Sequence, residues 1–305
     1  MKDLSTLSDT ELLEFFNSFD TVLSDVNGVL WNILESIPGA SDGIKSLKKI
    51  GKQLAVVSNN TTESLDSFHK QLNSSGFDLR KEEIILPTQA MIAYLKSKNF
   101  TNSIFILGMP AMKEAFKEAG FKVANNENWT KVNSLQEFGL VTNIASEIGA
   151  IIADIDLNLD FVNLQKSVNL LKRPEVIFLV GATNVAVPLG LDRVMLGPGC
   201  YLRILEEASG RKGLQMAKPN LSLNNYIIQK YGIKDASKVL FIGDSVLADM
   251  GFATKCGYKK LLVLSGLTKK EDLDEWKYEE EYKPEFYVNS LKVVHELIEK
   301  IKQSV

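Results

Sequence analysis

The sequence predicts an α/β fold built on a doubly wound parallel sheet. Three observations point there. Short runs are apolar nearly throughout, amphipathic stretches between them close on glycine, and chemically capable polar residues stand directly after several apolar runs. A run apolar on both faces suits a strand covered on both sides, as in parallel sheets whose crossovers are helices. Short strand–helix alternation then favours a doubly wound sheet, with ligands beyond the carboxyl ends of its strands.

The elements follow in order. "TVLSDV", starting at Thr21, reads as the first strand, and "GASDGIKSLKKIG" as a helix ending at a glycine C-cap. "QLAVVSN" repeats the strand pattern, and "ESLDSFHKQLNSSG" the helix. "SIFILG", "GAIIADI" and "VIFLVGAT" are the next strands, and "KVLFIGD" and "KKLLVLSG" the last. The lysine-rich "HELIEKIKQSV" reads as a final helix with a solvated basic face, not as a nucleic-acid-binding tail.

At 305 residues, 45% of them hydrophobic, the chain is long enough for one large domain or a domain with an inserted second module. No repeat, linker or compositional break marks a boundary. A formal net charge of −3 gives no electrostatic case for nucleic acid or an anionic membrane. The start, "MKDLSTLSDTELLEFFNSF", is too polar and acidic for a signal peptide, and no apolar run approaches membrane-spanning length. A cytosolic protein is expected. Cys200 and Cys256 form no metal or redox motif and read as buried thiols in a reducing compartment. His69 and His295 sit inside amphipathic patterns and read as structural or surface residues.

The chemistry concentrates after four apolar runs. Asp25 stands in "SDVNG", Ser58 in "VVSNN" with Asn59 and Asn60 beside it, Lys218 in "MAKPN", and Asp244 in "FIGDSVLAD" with Asp249 on the turn after it. Each alone is also explained as a helix cap. As a set they have a shared chemistry. Carboxylates from different strand ends hold a hard cation such as Mg²⁺. A hydroxyl and a lysine bind phosphate oxygens, and an aligned carboxylate attacks phosphorus to form an aspartyl phosphate.

The order Asp25, Ser58, Lys218, Asp244/Asp249 resembles the haloacid dehalogenase superfamily. The flanks "DVNGVLW", "VSNN", "GPGCYLRILEEASGRKGLQMAKPN" and "GDSVLADMGFATKCG" are similar to its phosphoglycolate and pyridoxal phosphate phosphatase branch, the p-nitrophenyl phosphatases. The resemblance implies a Rossmann-like core at 1–98 and 207–305, with an α/β cap inserted at 99–206. It implies Mg²⁺ as cofactor, with Asp25 as nucleophile and ligand, the Asn27 carbonyl and Asp244 as further ligands, and Asp249 holding the lysine or a metal-bound water. Ser58, Asn59, Asn60 and Lys218 fall to phosphate binding. The implied partners are a small phosphate ester and a second copy of the chain, paired through the cap. "GPG" at Gly197–Gly199 reads as the hinge back to the core.

Two departures stand out. The family's second loop aspartate, its general acid and base, is Asn27 here, and an amide has no titratable proton for either step. The cap's specificity loop, "GATNVAVPLG", lacks the acidic residue that relatives often carry. That stretch fits either an apolar ligand pocket or plain packing of Val185, Ala186 and Val187. Three readings of Asn27 follow: a substitution introduced to trap substrate, a slow natural phosphatase of activated esters, or a pseudoenzyme that binds a small molecule in the cap–core cleft. The intact Asp25, Ser58, Lys218 and Asp244 favour a phosphatase with weakened turnover.

Overall fold

The computed structural model describes residues 1–32, 35–125, 131–143, 146–188 and 193–303. Contacts divide the chain into two compact units, one of Met1–Ser58, Leu65–Ile85 and Lys218–Val305, the other of Asn59–Ser64 and Leu86–Ala217. The expected insert, 99–206, falls inside the second.

Four strands open the chain: β1 (Lys2–Asp3), β2 (Thr21–Ser24), β3 (Gln53–Val57) and β4 (Ile84–Ile85). The second unit carries β5 (Ser103–Leu107), β6 (Ile148–Ala153), β7 (Ile177–Val180), β8 (Ala186–Pro188), β9 (Val194–Leu196) and β10 (Leu214–Gln215). The first unit resumes with β11 (Val239–Gly243), β12 (Lys259–Val263) and β13 (Phe286–Val288).

In the first unit β1-β13-β12-β11-β2-β3-β4 form one sheet, parallel at every pairing. Every residue of β2 and β11 is buried, which is why their sequences show no alternation. The chain leaves β2 toward β3 on one side and returns as β11 on the other, so the strand order reverses between β2 and β11. Ligands bind beyond strand ends at such switch points. Helices Ala40–Lys49 and Leu291–Gln303 both belong to this unit. The latter buries Leu291, Val294, Leu297, Ile298 and Ile301 and leaves Lys292, Lys300 and Lys302 outside, the amphipathic pattern expected. A helix at Asp9–Asn17 opens on a capping box, in which Ser8 accepts from the Glu11 N–H and the Glu11 carboxylate accepts from the Ser8 N–H. Its Phe15 and Phe16 stack edge-on with Phe19.

The second unit has its own parallel sheet, β10-β7-β6-β5, and an antiparallel pair, β8 with β9. Its core gathers Phe105, Ile151, Leu170, Phe178 and Leu205. Val185 and Ala186 are exposed and Val187 is half-buried, so this stretch is not packed core. Leu189 and Gly190 of the same loop lie outside the described residues.

Two expectations are corrected. Gly197–Gly199 is no return hinge: it lies inside the second unit, where the Gly197 and Gly199 amides donate to the Val185 and Asn184 carbonyls at 2.8 and 2.9 Å. Cys256 is buried but Cys200 is only partly so, because it sits in the first turn of helix Gly199–Ser209 with its thiol turned to the Val185 carbonyl. Lys218 follows a strand, β10, as expected, and that strand pairs with β7 of the second unit's sheet. The histidines are structural as expected. His69 Nε2 lies 2.7 Å from the Leu79 carbonyl, and His295 Nδ1 2.7 Å from the Ser46 hydroxyl. No described helix is long and apolar enough to cross a membrane.

Candidate active site

Sheet register brings the first three groups to one level. Ser24 pairs with Ile242 of β11 and Val56 of β3. Asp25 is therefore level with Gly243 and Val57, and Asp244 and Ser58 each stand one residue further along on either side of it. The Asp25 amide donates to the Ile242 carbonyl at 2.8 Å, and the Ser58 amide to Ile85 at 3.0 Å, so both strand ends are pinned. Ser58 is almost completely buried.

Lys218 joins this level from the start of the segment leading into helix Leu221–Tyr231. Its ammonium donates to Asp25 Oδ1 at 2.6 Å and to Asp249 Oδ1 at 2.8 Å, and lies 5.4 Å from the centre of the Phe241 ring. Asp249 sits in the short helical turn Val246–Met250, capped by Ser245. Its Oδ2 accepts the Asp244 and Ser245 amides, both at 3.1 Å. Both oxygens of Asp249 are thus engaged in holding the lysine and the β11 turn.

Asp25, Asp244 and Asp249 offer carboxylate oxygens all within 4.8 Å of one another, and all three are buried. One ammonium faces three carboxylates. Burial first, then the Asp249 charge, pushes Asp25 up to about 6 against the pull of Lys218. Burial, then Asp249 and Asp25, pushes Asp244 up to about 7. Lys218 is held charged: burial alone would lower it, but Asp249 and Asp25 raise it.

The cluster fits a divalent cation on its own terms. Its excess of buried negative charge is what such an ion relieves, and oxygen ligands suit Mg²⁺. Asp244 Oδ2 accepts the Leu267 amide at 2.6 Å, which leaves Oδ1 without a hydrogen bond among the described residues. The Asp244 carboxylate is seated between two glycines. A Cβ at Gly28, whose φ is +79°, would come within 2.1 Å of Oδ2, and one at Gly266 within 2.0 Å.

Asn27 is exposed on the loop after Asp25. The loop is closed by Leu30 and Trp31 amides donating to the Val26 carbonyl at 2.8 and 3.0 Å, and by Gly28 donating to Trp31 at 2.7 Å. The Asn27 carbonyl accepts none of these bonds. Ser265 Oγ donates to the Gly28 carbonyl at 2.7 Å and ties this loop to the turn after β12.

The structure therefore brings Asp25, Lys218, Asp244 and Asp249 together, with Ser58 on the neighbouring strand end and Asn27 on the loop. Asn59 and Asn60 group with the second unit. Asn60 Oδ1 accepts the Thr62 amide and hydroxyl at 2.9 and 2.7 Å, so its side chain shapes its own turn. The sequence reading missed the Leu267 amide and the Gly28/Gly266 seat; the "LSGL" turn after an apolar run was the available signal.

Comparison with known proteins agrees. The profile of haloacid dehalogenase-like hydrolases matches residues 22–122, and a second, HAD-hydrolase-like profile matches 215–294. The chain belongs to the haloacid dehalogenase-like hydrolases, the class its fold and strand-end residues define. Within them its similarity runs to the p-nitrophenyl phosphatase-like branch. It is 28% identical to the 4-nitrophenylphosphatase of Schizosaccharomyces pombe over 93% of this chain and 96% of that protein. It is 26% identical to the chloroplastic phosphoglycolate phosphatase 1A of Arabidopsis thaliana over 91% of this chain and 77% of that protein. The p-nitrophenyl phosphatase from Archaeoglobus fulgidus superposes with a TM-score of 0.79 at 23% identity, covering 92% of this chain and 99% of that one, a likeness of fold.

Proposed function

We propose that the chain is a Mg²⁺-dependent phosphomonoester hydrolase working through an aspartyl phosphate on Asp25, with turnover slowed by Asn27. The observation that carries this reading is the buried grouping of Asp25, Lys218, Asp244 and Asp249 beyond the β2/β11 switch point. Asp25, Asp244 and the Asn27 carbonyl would hold the ion, which supplies charge shielding between an anionic nucleophile and an anionic phosphate.

The chain's own residues do the rest. Lys218 orients Asp25 through Oδ1, so that the other oxygen is the one presented for attack. Asp249 fixes Lys218 and keeps it charged. Ser58, Asn59, Asn60 and Lys218 supply donors for phosphate oxygens, which suits a reaction governed by positioning and charge stabilisation. At position 27 an amide can donate a hydrogen bond to a leaving oxygen, but it cannot give or take a proton. Esters whose alcohol departs as a stable anion suffer least in the first step. Hydrolysis of the aspartyl phosphate has no such relief. We assign the second unit the selecting role that the family resemblance gives its inserted domain, and pairing with a second copy to the same unit.

Hydrolysis of p-nitrophenyl phosphate with Mg²⁺ and with EDTA tests the reading. Slow, Mg²⁺-dependent release of p-nitrophenolate that vanishes in Asp25→Asn supports it; equal rates in parent and Asp25→Asn overturn it. The second reading, a pseudoenzyme that keeps ion and ligand binding, is favoured by Asn27 itself and by the exposed apolar Val185–Ala186 stretch.

A further inference from the structure

The loop after β2 and the turn after β12, both in the first unit, meet through bare backbone. A Cβ built on Gly28 would lie 2.9 Å from the Gly266 Cα, and one on Gly266 would lie 2.6 Å from the Gly28 Cα. Neither glycine has a side chain to interlock with the other, so this contact by itself sets no register between the two segments. Ser265 supplies one. It is half-buried, and its hydroxyl donates to the Gly28 carbonyl at 2.7 Å.

Both segments carry groups of the ion site. On the turn, the Leu264 amide donates to the Val288 carbonyl at 3.0 Å, and the Thr268 amide to the Asp244 carbonyl at 3.1 Å. With the Leu267 amide on Asp244 Oδ2 at 2.6 Å, the turn is fastened to Asp244 by backbone and side chain alike. On the loop, the peptide planes on either side of Gly28 are both held. The plane of the Asn27 carbonyl also contains the Gly28 amide, which donates to the Trp31 carbonyl at 2.7 Å. The next plane contains the Gly28 carbonyl, which accepts from Ser265, and the Val29 amide, which donates to the Val26 carbonyl at 3.3 Å. A planar peptide carries a constraint on one end of the plane to the other. The Trp31 bond therefore fixes where the Asn27 carbonyl points within the loop, and the Ser265 bond fixes the loop relative to Asp244.

We propose that Ser265 is a positioning residue for the ion: its hydroxyl sets the place of the Asn27 carbonyl relative to Asp244. The proposal rests on the reading of Asp25, Asp244 and the Asn27 carbonyl as ligands. Ser265 itself touches neither ion nor substrate in this scheme. Mg²⁺ demands near-ideal octahedral geometry at about 2.0–2.1 Å, whereas Ca²⁺ accepts longer and less regular coordination. Loss of register between the two segments therefore costs Mg²⁺ more than Ca²⁺.

The test is calorimetric titration of the full chain with Mg²⁺ and, separately, with Ca²⁺, beside hydrogen exchange in EDTA. Ser265→Ala should weaken Mg²⁺ binding about threefold to tenfold, the scale of one hydrogen bond. Ca²⁺ binding should weaken less than about twofold, because its geometry is the more forgiving. Exchange of the Leu30 and Trp31 amides, which close the loop, should quicken in the same variant. Ser265→Thr keeps a hydroxyl and should restore both affinity and exchange. Ser265→Cys, close in volume and only a weak donor, should fall between, and it carries the test if Ser265→Ala folds poorly. Parent-like Mg²⁺ affinity in Ser265→Ala overturns the positioning role. So does an equal loss for both ions, which marks a general loosening, or a Ser265→Thr variant as weak as Ser265→Ala. A parent that binds no Mg²⁺ overturns the ion reading of the cluster, and the proposal with it.

Discussion

Replacing Asp244 by asparagine should stabilise the metal-free protein while removing its response to Mg²⁺. Burial, then repulsion from Asp249 and Asp25, lifts Asp244 from 3.8 to about 7. A folded-state pKa above the unfolded one means the folded chain holds more protons between about pH 4 and 7, so stability falls as pH rises through that window. Roughly three pKa units at about 1.4 kcal/mol each set a ceiling of about 4 kcal/mol for the strain at pH 8. Asparagine carries no charge, and its carbonyl can still accept the Leu267 amide. Urea unfolding in EDTA should therefore show the variant more stable than the parent by about 1–4 kcal/mol at pH 8. The gap should shrink to less than half at pH 5. Saturating Mg²⁺ should close or reverse the pH 8 gap, since an ion at 100 times its Kd adds about 2.7 kcal/mol to the parent alone. A variant no more stable than the parent in EDTA at pH 8, or a gap independent of pH, would refute the electrostatic account of this cluster.

Three further outcomes are expected. Asn27→Asp should raise the rate of ester hydrolysis by about 10²-fold or more, measured with p-nitrophenyl phosphate, because the exposed loop position admits a carboxylate at little burial cost; an inert revertant would promote the binding-protein reading. Gly28→Ala should abolish the Mg²⁺-induced rise in melting temperature, since its Cβ would strike Asp244 and its φ is +79°; a parent-like rise would show that the Asp244 seat does not shape the ion site. Lys218→Met should destabilise the fold by about 3–5 kcal/mol at pH 8, because it strips the buried Asp25 and Asp249 of their shared cation. That loss should ease toward pH 5, as protonation of Asp25, pushed up to about 6 by burial, removes part of the uncompensated charge; a loss that is flat with pH would point to packing instead.

Much of the fold was readable because the long buried strands advertise themselves. "TVLS", "QLAVV", "VLFIG" and "KKLLV" are apolar for the reason the sheet requires, helices on both faces. The strands that escaped, β1, β4, β8, β9, β10 and β13, are two or three residues long, too short to show a period. Helix Asp9–Asn17 went unread, although "SDTE", the capping box at its start, was a signal in the sequence.

The site divides in the same way. Asp25, Ser58 and Asp244 were legible because a polar side chain directly after an apolar strand is a sequence event, and Asp249 as the acid on the turn that follows Asp244. Lys218 was legible through its motif, though the strand before it belongs to another sheet. The Leu267 amide was not legible, since every residue but proline has one and only the fold says which is aimed at Asp244. The close seat between Gly28 and Gly266 depends on residues more than two hundred positions apart meeting around one carboxylate.

The central claim is that Asp25 still attacks phosphorus although position 27 cannot move a proton. Rapid-quench mass spectrometry with Mg²⁺ and p-nitrophenyl phosphate tests it most directly. Nitrophenolate departs without needing a proton, whereas water attacking the aspartyl phosphate must lose one and Asn27 cannot take it. The account predicts a burst of nitrophenolate, a phosphate adduct mapped to Asp25, and slow decay of that adduct. No mass increase on Asp25 at any time, with Mg²⁺ shown to be bound, would contradict it.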